Sequence, residues 1–263
     1  MERSASDPFP ASERRGGARR QSVPNPKFHN APVFEAVCEL IFPPEAVDLT
    51  VIGRLFDSVK KDYPIVKQDA PSIQVSIGSL PRMAPVVTFF DASQCNAIRI
   101  TGSNISVHRL KPYDGWEAFL SRIVRALDAA RATLSGTGVQ AVQLRYLNRL
   151  EIGASSLEDL HKFVKVGLYG PIHNAWQLRA LSQSITEVQG DIVRTIVLGS
   201  EISQPLQQPE IGAPLILDIR CGTVDSPVDV SEWLISAHDA LFVTFKGCLT
   251  DRLLKQLNAK EEA

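Results

Sequence analysis

The residues best suited to chemistry in this chain are arginines. Arg145 and Arg149 stand four apart within VQAVQLRYLNRLEI, residues 139–152. Side chains of an extended segment alternate between faces, so the two guanidinium groups share a face about 13 Å apart at 3.3 Å per residue. With Arg220 and Arg99 they would form a basic stripe on an open sheet face. A guanidinium fork matches a carboxylate or a phosphate in two parallel hydrogen bonds, so such a stripe would seat an anionic partner or substrate. The opposing reading is a solvated face on which these arginines pair with Glu35, Glu39, Glu151 and Asp218 across strands. The formal net charge of −1 weighs toward pairing and gives no global electrostatic case for nucleic acid.

Other candidates are weaker. Asn148 falls on the apolar face of the same segment, where an amide must find partners, and it reads as structural. His238 lies near Trp233 and Asp239 in an apolar-striped helix. Neighbours on a helix are three or four residues apart, so Asp239 is expected to face away and His238 to be a partly buried structural histidine. His108, His161 and His173 are isolated in sequence and lack metal-ligand spacing such as HxxxH. No GxSxG, Walker loop, GxGxxG, HExxH or paired-carboxylate signature occurs, so no metal, cofactor or catalytic residue is assigned. Arg14, Arg15, Arg19 and Arg20 form a small basic cluster in the N-terminal tail. It would suit an acidic partner or nucleic acid, but short arginine pairs are common in solvated tails.

Composition bounds these readings. The 263 residues suffice for one large domain or two small ones, and 44% hydrophobic with 22% charged residues is ordinary for a globular protein. The four cysteines, Cys38, Cys95, Cys221 and Cys248, are widely spaced, which points to free buried thiols in a reducing compartment. No apolar run reaches the roughly 18–20 residues that span a bilayer, and the N-terminus has no apolar signal core. The expectation is a cytoplasmic protein with no membrane contact.

The elements that must position these residues follow from hydrophobic periodicity. Residues 1–30 are rich in Ser, Pro, Gly and Arg without a period and read as a disordered tail. Residues 33–42 alternate as a strand that Pro43 and Pro44 end. A helix follows over 49–63. Residues 65–85 read as loop-rich with a short strand at 73–77, followed by a strand at 86–91. A hairpin is expected at 95–101 and 105–110, then an amphipathic helix over 116–134. The second half opens on the central strand at 139–152. It continues with a helix at 157–168 capped by Ser155 and Ser156, a loop carrying His173 and Trp176, a hairpin at 182–189 and 192–202, and a strand at 215–224. One long helix capped by Ser231 runs to about 257.

This order predicts an α+β fold of two similar β-α-β(3-4)-α halves, 31–138 and 139–263, packed as one domain. They would form one long curved antiparallel sheet, saddle-like, with helices on one face and the other face open. Saddle folds of the TATA-box-binding type share this order of elements, an analogy of architecture only.

Three landmarks carry a further likeness: Pro32, Glu35 and Ala36 in an opening PxxEA strand; Arg145, Tyr146, Asn148 and Arg149 in a central RYxNR strand; and His238 and Phe245 in the last helix. Over residues 31–257 the chain resembles a sporadically distributed bacterial family of unassigned function. The resemblance implies a cytosolic bacterial protein from an accessory or defence-type gene set, and it supplies no catalytic residues. The resulting expectation is a non-enzymatic binding or adaptor protein with a protein or nucleic-acid partner. The alternatives are an enzyme of unrecognised type using Arg145 and Arg149 as an anion clamp, and a structural subunit of a larger complex.

Overall fold

A computed structural model describes residues 28–44, 46–74, 82–134, 136–152, 157–165, 181–200, 214–227 and 229–258. The expected tail with Arg14, Arg15, Arg19 and Arg20, the Ser155-Ser156 cap, and His173 and Trp176 lie outside the described residues. The elements in chain order are β1 (Val33–Ile41), α1 (Leu49–Val59), β2 (Ile65–Gln74), β3 (Arg82–Phe90), β4 (Asn96–Thr101), β5 (Asn104–Leu110), α2 (Trp116–Thr133), β6 (Ala141–Leu150), α3 (Leu157–His161), β7 (Ser182–Gln189), β8 (Ile192–Ser200), β9 (Leu215–Thr223), α4 (Val230–Cys248) and α5 (Asp251–Asn258).

All the strands among the described residues join one antiparallel nine-stranded sheet in the order β2-β3-β4-β5-β1-β6-β9-β8-β7. The expected α+β class and the single long sheet backed by helices are therefore observed, and the sheet is not closed into a barrel. The first five strands lie on one side of the β1–β6 pairing and the remaining four on the other. The halves also differ in their first helices, 11 residues in α1 against 5 in α3, so this architecture does not establish an internal repeat. Among the described residues no helix is long and apolar enough to cross a membrane.

Alternation decides which face is which. Along β6 the residues Val142, Leu144, Tyr146, Asn148 and Leu150 are buried, while Gln143, Arg145, Leu147 and Arg149 are half-buried on the other side. The register carries the buried set across the sheet as Cys38, Leu144 and Cys221, and as Leu40 beside Val142. These side chains join Leu55 of α1, Phe119, Ile123 and Leu127 of α2, and Leu234, Ala237 and Leu241 of α4 in one core. Each fully buried aliphatic or aromatic side chain contributes about 1.5–3 kcal/mol of transfer free energy, which makes this face the main source of stability.

Local chemistry sets the helix ends. The Asp48 carboxylate accepts from the Val51 N–H to start α1, and the Asp229 carboxylate accepts from Ser231 and Glu232 N–H to start α4. Asp229, not Ser231, is thus the cap of the last long helix. That helix is also broken, contrary to the sequence expectation. Leu249 turns extended and bridges Val164, while Lys165 N–H donates to the Cys248 carbonyl and Thr250 N–H to the Phe163 carbonyl. Backbone partners from the α3 segment thereby replace intrahelical ones, and a helical period cannot reveal such a competitor.

A further departure is β2. Residues 65–74 form an edge strand despite Pro71, with a register shift between Asp69 and Ser72. An edge position with an irregularity is where a strand tolerates proline.

Candidate functional site

The sheet face turned away from the helices carries polar side chains on β4, β5, β1, β6 and β9, with apolar Val37 and Leu147 among them. Cross-strand register places its members. On one line His108 of β5 faces Val37 of β1, which faces Arg145 of β6, which faces Arg220 of β9. On the adjoining line Arg99 faces Ser106, which faces Glu39, which faces Gln143. Val37 is only 3% exposed and forms an apolar floor between two polar groupings.

The first grouping spans β1 and β5. Ser106 and His108 are two apart on β5 and so share this face. Ser106 Oγ lies 2.8 Å from His108 Nε2, and His108 Nδ1 lies 2.7 Å from Glu35 Oε1. Ser106 Oγ also reaches the Arg99 carbonyl oxygen at 3.2 Å. The Ser106 residue is 8% exposed, and the His108 and Glu35 side chains are 16% and 22% exposed. His108 is therefore not isolated, as its sequence neighbourhood suggests; its partners come from its own strand and from a strand 73 residues away. The only sequence signal was Ser-x-His alternating onto the face that Glu35 also occupies. It has no meaning until the β1–β5 register is fixed.

The second grouping spans β6 and β9. Arg145 Nε donates to Asp218 Oδ1 at 2.8 Å and its Nη2 to Oδ2 at 2.7 Å, a two-pronged fork across the strands. The hydrogen bond to Asp218 keeps the Arg145 guanidinium even more firmly protonated than usual, against the opposing effect of burial. Arg149 pairs with Glu151. Arg99 lies 3.7 Å from Asp69 near the β2 edge. The four arginines do share one face, yet Arg99 stands three strands from Arg145, and Arg145 and Arg149 are paired with carboxylates. Arg220 differs. Its Nε is buried without a hydrogen-bond partner, and no hydrogen bond or ion pair to Arg220 occurs among the described residues.

No family model and no curated protein matches the chain. The site must therefore be read from its own geometry.

On the helix side of β6 the polar groups form a different kind of cluster. Asn148 Nδ2 donates to the Leu217 carbonyl at 3.1 Å and approaches the Tyr146 carbonyl at 3.4 Å. Its amide ties β6 to β9 where the residue is 2% exposed. Tyr146 and Tyr113 share a 3.1 Å hydroxyl contact with their rings edge to face at 5.8 Å. Burial pushes both phenols up, so they stay neutral. His238 stacks on Trp116 with ring centroids 4.1 Å apart and an interplanar angle of 7°. Trp116 of α2 and Tyr146 of β6, not the nearby Trp233, are thus its aromatic neighbours. The Asp239 carboxylate also bends back to 3.7 Å from His238 Nδ1, where helix geometry alone would send it away.

Three of the four thiols offer no chemistry of this kind, and the fourth, Cys95, is half-buried and not buried as expected. Cys38, Cys221 and Cys248 are free and buried, and desolvation pushes Cys221 and Cys248 up to about 11 and Cys38 higher still. A thiol held protonated is a poor nucleophile and a poor metal ligand.

Proposed function

We propose that the protein is a binding or adaptor protein whose sheet face, free of helices among the described residues, takes a carboxylate-bearing segment of a protein partner at Arg220. The observation that carries this reading is the contrast between Arg220 and the arginines around it. Arg145, one strand away, is neutralised by Asp218, whereas the Arg220 guanidinium has no partner among the described residues and its Nε is already desolvated. A cation held this way gains most from an incoming carboxylate, because much of the desolvation cost has been met in folding.

Charge selects the class of partner. Glu35, Glu39 and Asp218 share the face with Arg145 and Arg220. A phosphate backbone would meet these carboxylates as well as the cation, whereas a single carboxylate can approach Arg220 alone. This favours a protein over a nucleic acid.

The test is affinity purification from the native host near physiological salt, with and without nuclease, comparing wild type with Arg220→Glu and Arg99→Glu. A stoichiometric protein should be retained by wild type and Arg99→Glu and lost with Arg220→Glu. Recovery that depends on intact nucleic acid would overturn the choice of partner. Equal recovery by all three variants would remove Arg220 from the interface.

A further inference from the structure

We infer that Ser106, His108 and Glu35 form a nucleophilic triad that cleaves a carboxylic ester or comparably activated acyl group at the same sheet face. This goes beyond the binding reading and does not depend on Arg220. By strand order Arg220 lies three strands from His108, about 14 Å at 4.8 Å per strand.

The connectivity is that of an activated serine. A hydroxyl contacts one ring nitrogen of a histidine, and a carboxylate contacts the other. Here the contacts are Ser106 Oγ to His108 Nε2 at 2.8 Å and His108 Nδ1 to Glu35 Oε1 at 2.7 Å. Proton accounting supports a working arrangement. An ionised Glu35 only accepts, so the proton of neutral His108 sits on Nδ1 and leaves the Nε2 lone pair facing Ser106. The hydroxyl then donates to Nε2. Once His108 becomes imidazolium, Nε2–H donates to Ser106 Oγ, and the hydroxyl can turn to the Arg99 carbonyl at 3.2 Å. Both protonation states of the histidine therefore have satisfied geometries, which a shuttle between acid and base requires.

The remaining need is a cation or donor for the developing oxyanion. Backbone N–H groups of β5 are committed to its ladders with β1 and β4, so the sheet itself offers none. Arg99 is directly opposite Ser106 on the same face, and its side chain is 46% exposed with only a 3.7 Å contact to Asp69. Directly opposed residues hold their Cβ atoms about 5 Å apart, within reach of a guanidinium turning over the serine.

The chemistry balances with water as the sole co-reactant. Ser106 Oγ bonds to the acyl carbon while its proton passes to His108 Nε2. The ester C–O bond breaks, and the departing alkoxide takes that proton as the alcohol. Water then attacks the acyl-serine, giving its proton to His108. The Oγ–carbon bond breaks, the proton returns to Ser106, and the acid is released.

The experiment is labelling of the full chain with an alkyl fluorophosphonate, read by peptide mass, with p-nitrophenyl acetate hydrolysis beside it. Attack by Ser106 on the probe forms an O–P bond and expels fluoride, with the proton taken by His108. The expected result is one adduct per chain on Ser106, lost in Ser106→Ala and slowed at least 10²-fold in His108→Gln. Arg99→Ala should slow acetate hydrolysis about 10²-fold. Absence of an adduct on Ser106 in folded wild-type protein would overturn the inference, and so would an adduct forming as fast in His108→Gln. Because the wild-type map decides the first point, misfolding of a variant does not shield the proposal. Intact labelling together with unchanged partner recovery in Arg220→Glu would retain the triad and remove the carboxylate seat.

Discussion

The two faces of β6 carry similar numbers of polar groups and use them in opposite ways. On the helix side Tyr146 meets the rings of Tyr113 and His238, and the Asn148 amide and the Tyr146 phenol find partners inside the core. On the far side Arg145 is tied to Asp218, but the next residue along that line, Arg220, has no partner among the described residues, and beyond Val37 lies the Ser106–His108–Glu35 relay. One face spends its polar groups on holding strands and helices together. The other leaves a cation and a hydroxyl at the ends of otherwise satisfied networks. Groups of the second kind are the ones available to a ligand.

The largest expected effect falls on the helix side. Tyr146→Ala removes a buried ring that meets Tyr113 and His238, and it should lower stability by about 3 kcal/mol or more in urea unfolding. Tyr146→Phe keeps the ring and loses only the hydroxyl contact, for about 0.5–1.5 kcal/mol. Equal losses in the two variants would mean that the hydroxyl, not the packing, holds this face together.

Next comes the fork. Arg145→Ala strands the Asp218 carboxylate, whose side chain is 10% exposed, and should cost about 2–3 kcal/mol after allowance for the partial exposure of the arginine. Arg145→Ala combined with Asp218→Ala should recover part of that loss, and a double-mutant cycle by thermal unfolding measures the recovery. If Arg145→Ala proves neutral, the far face is as loosely held as a solvated surface, and the contrast between Arg145 and Arg220 disappears.

How much of this was legible follows from the range of each signal. Alternation in residues 141–150 and in 33–41 sorted side chains onto faces, because the period of a strand is local. That was enough for the α+β class, for the helix-backed sheet and for the place of Asn148. Charge balance weighed toward arginine–carboxylate pairing, but which strands meet was not legible. Glu35 and His108 are 73 residues apart, as are Arg145 and Asp218, and only the strand order brings each pair together. The same gap explains why the partners of Arg145 and Arg149 could be named only within a set of four carboxylates, and why Asp69, the partner of Arg99, was not named at all. The break between α4 and α5 was hidden for a related reason: the apolar stripe continues through Leu249 and Leu253, and the competing backbone partners come from residues 163–165.

A smaller effect separates the faces by pH. Burial holds His238 below its ordinary value, against the opposing pull of Asp239 and Glu117. The unfolded chain then binds the proton more readily than the folded one. His238 therefore destabilises the fold as pH drops through about 6.5, the unfolded value, and has no effect above it. In His238→Phe the melting temperature between pH 7.5 and 5.5 should fall less than in wild type. Parallel curves for the two proteins would show that the ring stacked on Trp116 titrates as freely in the folded state as in the unfolded one.

The smallest expected change in stability is at Arg220, and it is the most informative. Adjacent arginines on one face normally invite one explanation, yet Arg145 and Arg220 should part company when each is truncated. Arg220→Ala removes no hydrogen bond or ion pair among the described residues and relieves a buried, unpartnered Nε, so unfolding should move by no more than about 0.5 kcal/mol. A gain in stability would strengthen the contrast, because a group that costs the fold something and returns nothing to it points to selection by a ligand. A loss comparable to that of Arg145→Ala would show that Arg220 has a structural partner after all, and the far face would then be as fully closed as the helix side.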